Sequence, residues 1–271
     1  MHQQEFTENA DEVNGIHVNG NGHLAACDDA GEVKVYDLQA GTVFRSLRRK
    51  HTNICSCMSF LPGASRSDEM ISGGLDSKLF VWDYRRVRVL QTVSTQELLS
   101  ELGDDSVYMF NPPLVYSVGV SDDGRTVAAG LANGTLQLFK LLRGGRKVLA
   151  PSAVINKHSS VGVSAVCFVK PEEGESDPSG SSPTCLVTGG NDGVVNLWTL
   201  PGEEPVGGGA RGRGKTAPIE NKVYDEDDIK SILTASLDTH SKVNFIGNVC
   251  ISGQRFAFVC DQTSSLKYLK I

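Results

Sequence analysis

The sequence predicts an all-β fold made of repeated four-stranded units, and three observations predict it. First, residues 70–85, MISGGLDSKLFVWDYR, nearly coincide with residues 186–199, LVTGGNDGVVNLWT, so that Ser72 falls on Thr188, Asp76 on Asp192 and Trp82 on Trp198. Second, each stretch has a small-residue run, a turn with an Asp, then alternating apolar residues, Leu79/Val81 and Val195/Leu197. That is the period of a strand, and the whole stretch reads as a β-hairpin. Third, fainter copies at 24–37, 127–140 and 257–270 bring the units to five.

Each hairpin has a strand-like stretch upstream at a matching offset: 13–18, 53–60, 114–120, 163–169 and 242–248. More polar strands, 42–49, 87–93 and 148–155, follow three of the hairpins. Four antiparallel strands per unit, repeated, are the sequence form of a β-propeller blade. One blade cannot bury both of its faces, whereas stacked neighbours can. The expected organisation is a single propeller over 1–271, with repeats at about 11–50, 51–93, 113–157, 158–200 and 239–271.

Three segments interrupt the rhythm. Residues 94–112 insert between the second and third units, and 171–183 lengthen a loop of the fourth. Residues 201–238 contain GGGARGRGKTAP followed by YDEDDIK; with much glycine and charge and few apolar side chains, this insertion is expected to be disordered. The last repeat has three strands. Residues 3–8, QQEFTE, are the candidate for its missing outer strand or for the outer strand of a further blade. Five blades must each turn further than the blades of a larger ring, and packing resists this, so an open or incomplete ring with an exposed apolar edge is expected.

Composition narrows the function classes. A net charge of −6 argues against nonspecific nucleic-acid binding, which draws on phosphate neutralisation. No run approaches the roughly 18 apolar residues of a membrane helix, and the polar, acidic start MHQQEFTENADE has no leader pattern. Seven cysteines without a CxxC pair read as small apolar core residues of a reducing compartment, the cytoplasm and/or nucleus. No metal, no cofactor and no obligate homo-oligomer are expected.

His51 followed by Ser72, Asp76 and Trp82-Asp83, and His158 followed by Thr188, Asp192 and Trp198, resemble the signature of the WD-repeat family. That resemblance implies a buried chain in each strong unit, from Trp N–H to hydroxyl to His to Asp. It also implies about seven repeats, so a chain with five reads as N-terminally shortened. The set His, Ser, Asp could be mistaken for a catalytic triad, but a nucleophile needs a cleft and a free base. A blade needs these tetrads twice; an enzyme does not need two active sites. The other units carry Tyr36, Phe139 and Leu269 for Trp82, and Ala30, Asn133 and Thr263 for Asp76. They are expected to lack the polar lock and to be weaker by about 1–3 kcal/mol each.

No P-loop, GxSxG or HExxH motif is present, so no catalytic residue is assigned and the favoured function is a noncatalytic protein-interaction scaffold. Two alternatives stay open. One is an RNA-associated accessory using the Arg-Gly segment 209–215. The other, least favoured, is a propeller enzyme. The most specific functional signal is 70–85, which resembles a DWD box ending in Trp82-Asp83-Tyr84-Arg85. Proteins carrying that box resemble substrate receptors of cullin–RING ubiquitin ligases. By that resemblance Asp83 and Arg85 would meet the adaptor, with Arg85 free at the surface and Asp83 orienting it.

Overall fold

The computed structural model describes residues 4–103, 111–142, 148–159, 161–169, 184–201, 220–251 and 254–271. They form five small antiparallel sheets in chain order. The first blade holds β1 (Val13–Val18), β2 (His23–Asp28), β3 (Val33–Asp37) and β4 (Thr42–Leu47). The second holds β5 (Cys55–Phe60), β6 (Glu69–Gly74), β7 (Lys78–Asp83) and β8 (Arg88–Ser94). The third holds β9 (Val115–Val120), β10 (Thr126–Leu131), β11 (Thr135–Leu141) and β12 (Leu149–Asn156). The fourth begins with β13 (Val163–Val169), β14 (Thr184–Gly190) and β15 (Val194–Leu200); the fifth has β18 (Val243–Ile251), β19 (Gln254–Asp261) and β20 (Leu266–Lys270). This is a five-bladed all-β propeller.

The repeat extends to the irregularities. In four blades the third strand bulges against the fourth at the step from Val35 to Tyr36, Val81 to Trp82, Leu138 to Phe139 and Leu197 to Trp198. A bulge raises local twist, and recurrence at one register gives each blade the same coil.

Alternation sends one side-chain set of each blade to the blade before and the other to the blade after. Between blades 1 and 2 lie Val33, Val35, Phe60 and Trp82; between 2 and 3, Ile71, Leu79, Val115 and Phe139. Between 3 and 4 lie Leu136, Ile155, Leu186 and Trp198; between 4 and 5, Val187, Val195, Ile246 and Val259. Among the described residues these are four cores for five blades, and none joins the fifth to the first. The two end faces accordingly carry apolar groups in solvent: Ile16 is 66% exposed on the first blade, Phe245 60% and Tyr268 64% on the fifth.

The paired glycines of the repeated line have separate jobs. A Cβ on Gly73 would lie 2.5 Å from Val115 Cγ1, and one on Gly189 the same distance from Val243 Cγ1, so each glycine admits the inner strand of the next blade. A Cβ on Gly74 would meet His51 Nδ1 at 2.5 Å, and one on Gly190 would meet His158 Nδ1 at 2.5 Å, so the second glycine admits the histidine ring.

Two sequence expectations need correction. Residues 220–238 are not a disordered stretch: they form β16 (Lys222–Val223), α2 (Glu226–Ile232) and β17 (Leu233–Asp238). β16 pairs in parallel with β12, and β17 is the outer strand of the fourth blade. The reason is burial: Ile229 and Ile232 enter the core between blades 3 and 4, and a capping box between Asp225 and Asp228 starts the helix. Residues 202–219 of that insertion, and 170–183, lie outside the described residues. The second correction concerns the segment beginning with QQEFTE, of which residues 4–12 are described: they contain no strand and do not extend the fifth blade. They lie on the first, with the Phe6 ring 4.4 Å from that of Tyr36 and Asn9 Oδ1 accepting from Tyr36 Oη at 2.6 Å. Tyr36 offers both a ring face and a hydroxyl on that side of the first blade, where the fifth blade has Leu269 at the matching position. Within 94–112, α1 (Thr95–Ser100) puts Leu99 into the core between blades 2 and 3.

Candidate functional site

The structure brings together both predicted tetrads. In blade 2, Trp82 Nε1 donates to Ser72 Oγ at 2.8 Å, Ser72 Oγ lies 2.8 Å from His51 Nε2, and His51 Nδ1 lies 3.0 Å from Asp76 Oδ1. Asp76 also accepts Thr52 N–H at 3.1 Å, tying the strand before the blade to the turn inside it. In blade 4, Trp198 Nε1 donates to Thr188 Oγ1 at 2.9 Å, Thr188 Oγ1 lies 2.8 Å from His158 Nε2, and His158 Nδ1 lies 3.4 Å from Asp192 Oδ1. Each chain closes when the imidazole carries its proton on Nδ1, so that the hydroxyl donates to Nε2 and the ring donates to the carboxylate. Every hydroxyl is then used twice and is fully buried at a blade interface.

Electrostatics agree with a structural lock. Burial pushes the Asp76 carboxyl up, but the His51 hydrogen bond, the His51 charge and the Thr52 N–H outweigh it and hold the group below its ordinary range. Asp192 behaves alike: burial raises it, while the Ser159 and Val194 N–H groups and His158 bring it lower. Burial depresses the His158 pKa against the opposing pull of Asp192, so the ring stays neutral.

The other three blades do not lack polar locks; they have different ones. In blade 1, buried Asp28 accepts from Asn9 Nδ2 at 3.0 Å, Ala10 N at 3.2 Å and Glu32 N at 2.9 Å. In blade 3, buried Gln137 donates to Ala153 O at 3.0 Å and to Asn221 Oδ1 at 2.9 Å. In blade 5, Asp261 accepts from Lys267 Nζ and Thr263, which hold its carboxyl down at about 2. The expected deficit of a polar network is therefore corrected: Asn9 and Asn221 from outside the repeated line, and Lys267 from within it, supply the partners.

The second blade's rim is the other candidate. Arg85 follows β7 at the surface, with its side chain 45% exposed. It is not free: its Nε lies 2.5 Å from Asp68 Oδ1, and its guanidinium sits 5.5 Å from the Phe44 ring centre. Asp83 does not orient it. Asp83 Oδ1 accepts Arg86 N–H at 3.0 Å, and Asp83 Oδ2 pairs with Arg86 at 3.1 Å and with Arg88 at 3.9 Å. The geometric reason is the turn: β7 ends at Asp83, and the chain after it folds Arg86 and Arg88 back over Asp83. Sequence reasoning missed Asp68, Phe44 and Arg45. Arg45 Nε donates to the Arg85 carbonyl at 2.9 Å from the neighbouring blade, a contact 40 residues apart that no local pattern encodes.

Among the described residues no group of three or more His, Cys, Asp or Glu is arranged to hold a metal ion, and no helix is long and apolar enough to cross a membrane. Cys27 and Cys55 are fully buried, and burial pushes the Cys57 thiol up to about 12. The Arg-Gly segment 209–215 lies outside the described residues.

Against known proteins, a family model described as WD domain, G-beta repeat, matches residues 41–83. The chain is 29% identical over 149 residues to the WD repeat-containing protein 53 homolog of Dictyostelium discoideum. That alignment covers 51% of this chain and 40% of the relative, so it spans well under half of the relative's length.

Proposed function

We propose that this five-bladed propeller, similar to WD-repeat proteins, is a noncatalytic interaction scaffold serving as a substrate receptor of a cullin–RING ubiquitin ligase, working in the cytoplasm or nucleus. Such propellers bind other proteins. The observation that carries the finer reading is Arg85: it ends the 70–85 box, sits at the outer rim, and is fixed by Asp68 and Phe44 instead of waving in solvent. A guanidinium held by its Nε keeps its two terminal nitrogens for a partner's carboxylate or carbonyls, and fixing it in advance lowers the entropy cost of binding. Asp83 serves the neighbouring arginines and so supports the rim as a whole.

The test is co-precipitation with the ligase adaptor, with melting curves in parallel. Arg85→Ala is expected to cost about 1–3 kcal/mol of adaptor binding. It should change stability by about 0.5 kcal/mol at most, since an exposed ion pair contributes little. Asp76→Ala is the control and should damage folding and capture together. Wild type that captures no adaptor, or Arg85→Ala that captures it equally, removes the receptor reading.

A further inference from the structure

We propose that the rim shared by the first two blades docks an acidic protein segment, through Arg45 with Arg86 and Arg88. The basis is an arginine held in place without a counter-charge. The Arg45 guanidinium carbon sits over the Phe44 ring, 4.3 Å from its centre. Its Nε donates to the Arg85 carbonyl at 2.9 Å and its Nη1 to the Phe44 carbonyl at 2.7 Å. Among the described residues no carboxylate pairs with it. Two backbone carbonyls and an aromatic face thus fix a full positive charge that the fold itself leaves unneutralised.

The neighbours add to that charge. Arg86 and Arg88 are 77% and 62% exposed at the side chain and share one carboxylate, Asp83. Arg85 shares the Phe44 ring from 5.5 Å and is neutralised by Asp68. Asp37 caps its own turn, accepting the Gln39 and Ala40 N–H groups at 2.9 and 2.8 Å. The adjoining ring, His23, is kept neutral by burial and by Arg85. The rim therefore faces outward as cations in a chain whose net charge is −6.

The chemistry selects the partner. Planar guanidinium forks match carboxylates two bonds at a time, and a fork already ordered loses little entropy on binding. An extended acidic segment presents alternate carboxylates about 6–7 Å apart, a spacing that can bridge arginines on two adjacent outer strands. A nucleic acid fits less well, because its affinity grows with the number of neutralised phosphates, and the chain's net charge of −6 opposes a long polyanion. This inference goes beyond the ligase reading and does not need it: Arg85 carries that reading, Arg45, Arg86 and Arg88 carry this one.

The experiment measures fluorescence anisotropy of a labelled Glu-rich peptide and of its Gln counterpart on the full chain, at low and at physiological salt. Wild type should bind the Glu peptide only, and more weakly as salt rises. Arg45→Gln should weaken binding about tenfold, and so should the pair Arg86→Gln with Arg88→Gln, which touches no backbone carbonyl and keeps the test valid if Arg45→Gln unfolds. Lys230→Gln, exposed on α2, is the control and should change nothing. Equal binding of both peptides, or equal loss in rim and control variants, overturns the proposal. So does a single-stranded RNA oligonucleotide that binds more tightly than the Glu peptide through the same arginines. Peptide binding that survives while adaptor capture fails rejects the ligase reading alone.

Discussion

Blades 2 and 4 use the same four groups in the same order, yet their locks differ in quality. Ser72 and Thr188 are register equivalents, and so are the residues paired across from them, Phe80 and Asn196. Phe80 meets the His51 ring edge to face at 4.7 Å and packs beside Trp82. Asn196 instead brings Nδ2 to 3.3 Å from His158 Nε2 and leaves its buried Oδ1 without a partner. The His–Asp contact lengthens from 3.0 to 3.4 Å between the two. One residue outside the tetrad thus decides whether the tetrad sits in an apolar wall or in a partly unsatisfied polar one. A shared motif fixes connectivity; its neighbours set its strength.

The largest expected effect tests that wall. Phe80→Ala should cost about 3–5 kcal/mol, the range for emptying an aromatic site in a packed core. Asn196→Ala, at the matching register, should cost below about 1.5 kcal/mol, because it removes an acceptor that already lacks a partner. Chemical denaturation of both variants decides, and equal losses would break the comparison.

A matched pair sharpens it further. Ser72→Ala and Thr188→Val each delete a hydroxyl and keep its carbon frame. Ser72→Ala strands both Trp82 Nε1 and His51 Nε2 and should cost about 2–3 kcal/mol; Thr188→Val should cost about 1–2 kcal/mol, since Asn196 still reaches His158. The reverse order, from the same denaturation curves, would contradict the role given to Asn196.

Acid acts on the locks in two windows, one for the buried His158 and a lower one for the carboxylates of both tetrads. Burial holds the folded-state pKa of His158 below its ordinary 6.5, so the unfolded chain binds the proton first and stability falls as pH drops through that value. His17, also lowered by burial, acts in the same sense. The Asp76 carboxyl lies below 3.8 in the folded state, so its contribution persists until a lower pH and is lost as pH falls through that depressed value. Unfolding free energies at stepped pH should show a loss beginning near 6.5, and a flat profile down to pH about 4.5 would remove the neutral-histidine assignment.

The smallest effect lies in the turn. Blade 4 has Gly193 at φ 79°, where blade 2 has Ser77 at φ 56°. Ser77→Gly should raise stability by up to about 1 kcal/mol, because glycine alone adopts this region without strain. A melting curve that moves downward would mean the Ser77 side chain contributes more than its backbone costs.

How much of this was legible depends on the range of each contact. The hairpins, the inner strands and the tetrads were readable because their residues recur at fixed offsets within one unit. The outer strand Leu233–Asp238 was not: it is mostly exposed, so its apolar alternation is faint, and a long insertion separates it from its blade. The helix before it was legible in principle, since Asp225 and Asp228 have capping-box spacing ahead of Ile229 and Ile232. The acidic run DEDD hid that signal behind its charge. The substitute locks of blades 1, 3 and 5 were not readable, because Asn9 and Asn221 stand outside the repeated line and Lys267, inside it, stands where the second unit has Phe80. The rim arginines were visible as residues, but Arg45 meeting Phe44 and the Arg85 carbonyl is a product of blade stacking, which sequence spacing does not contain.

Residues 4–12 shelter Tyr36 on the outer face of the first blade and leave Ile16 in solvent, while among the described residues the last blade packs on a neighbour at one side only. A linear stack with one end partly sheltered has a direction. Its units are coupled to nearest neighbours, so opening starts where coupling is weakest and travels inward. The amides of β18 to β20 should therefore exchange with deuterium first and those of blades 2 and 3 last, a gradient along the chain instead of one cooperative event. Removing residues 4–12 would give the molecule two loose ends and turn that gradient into a profile peaked at its middle.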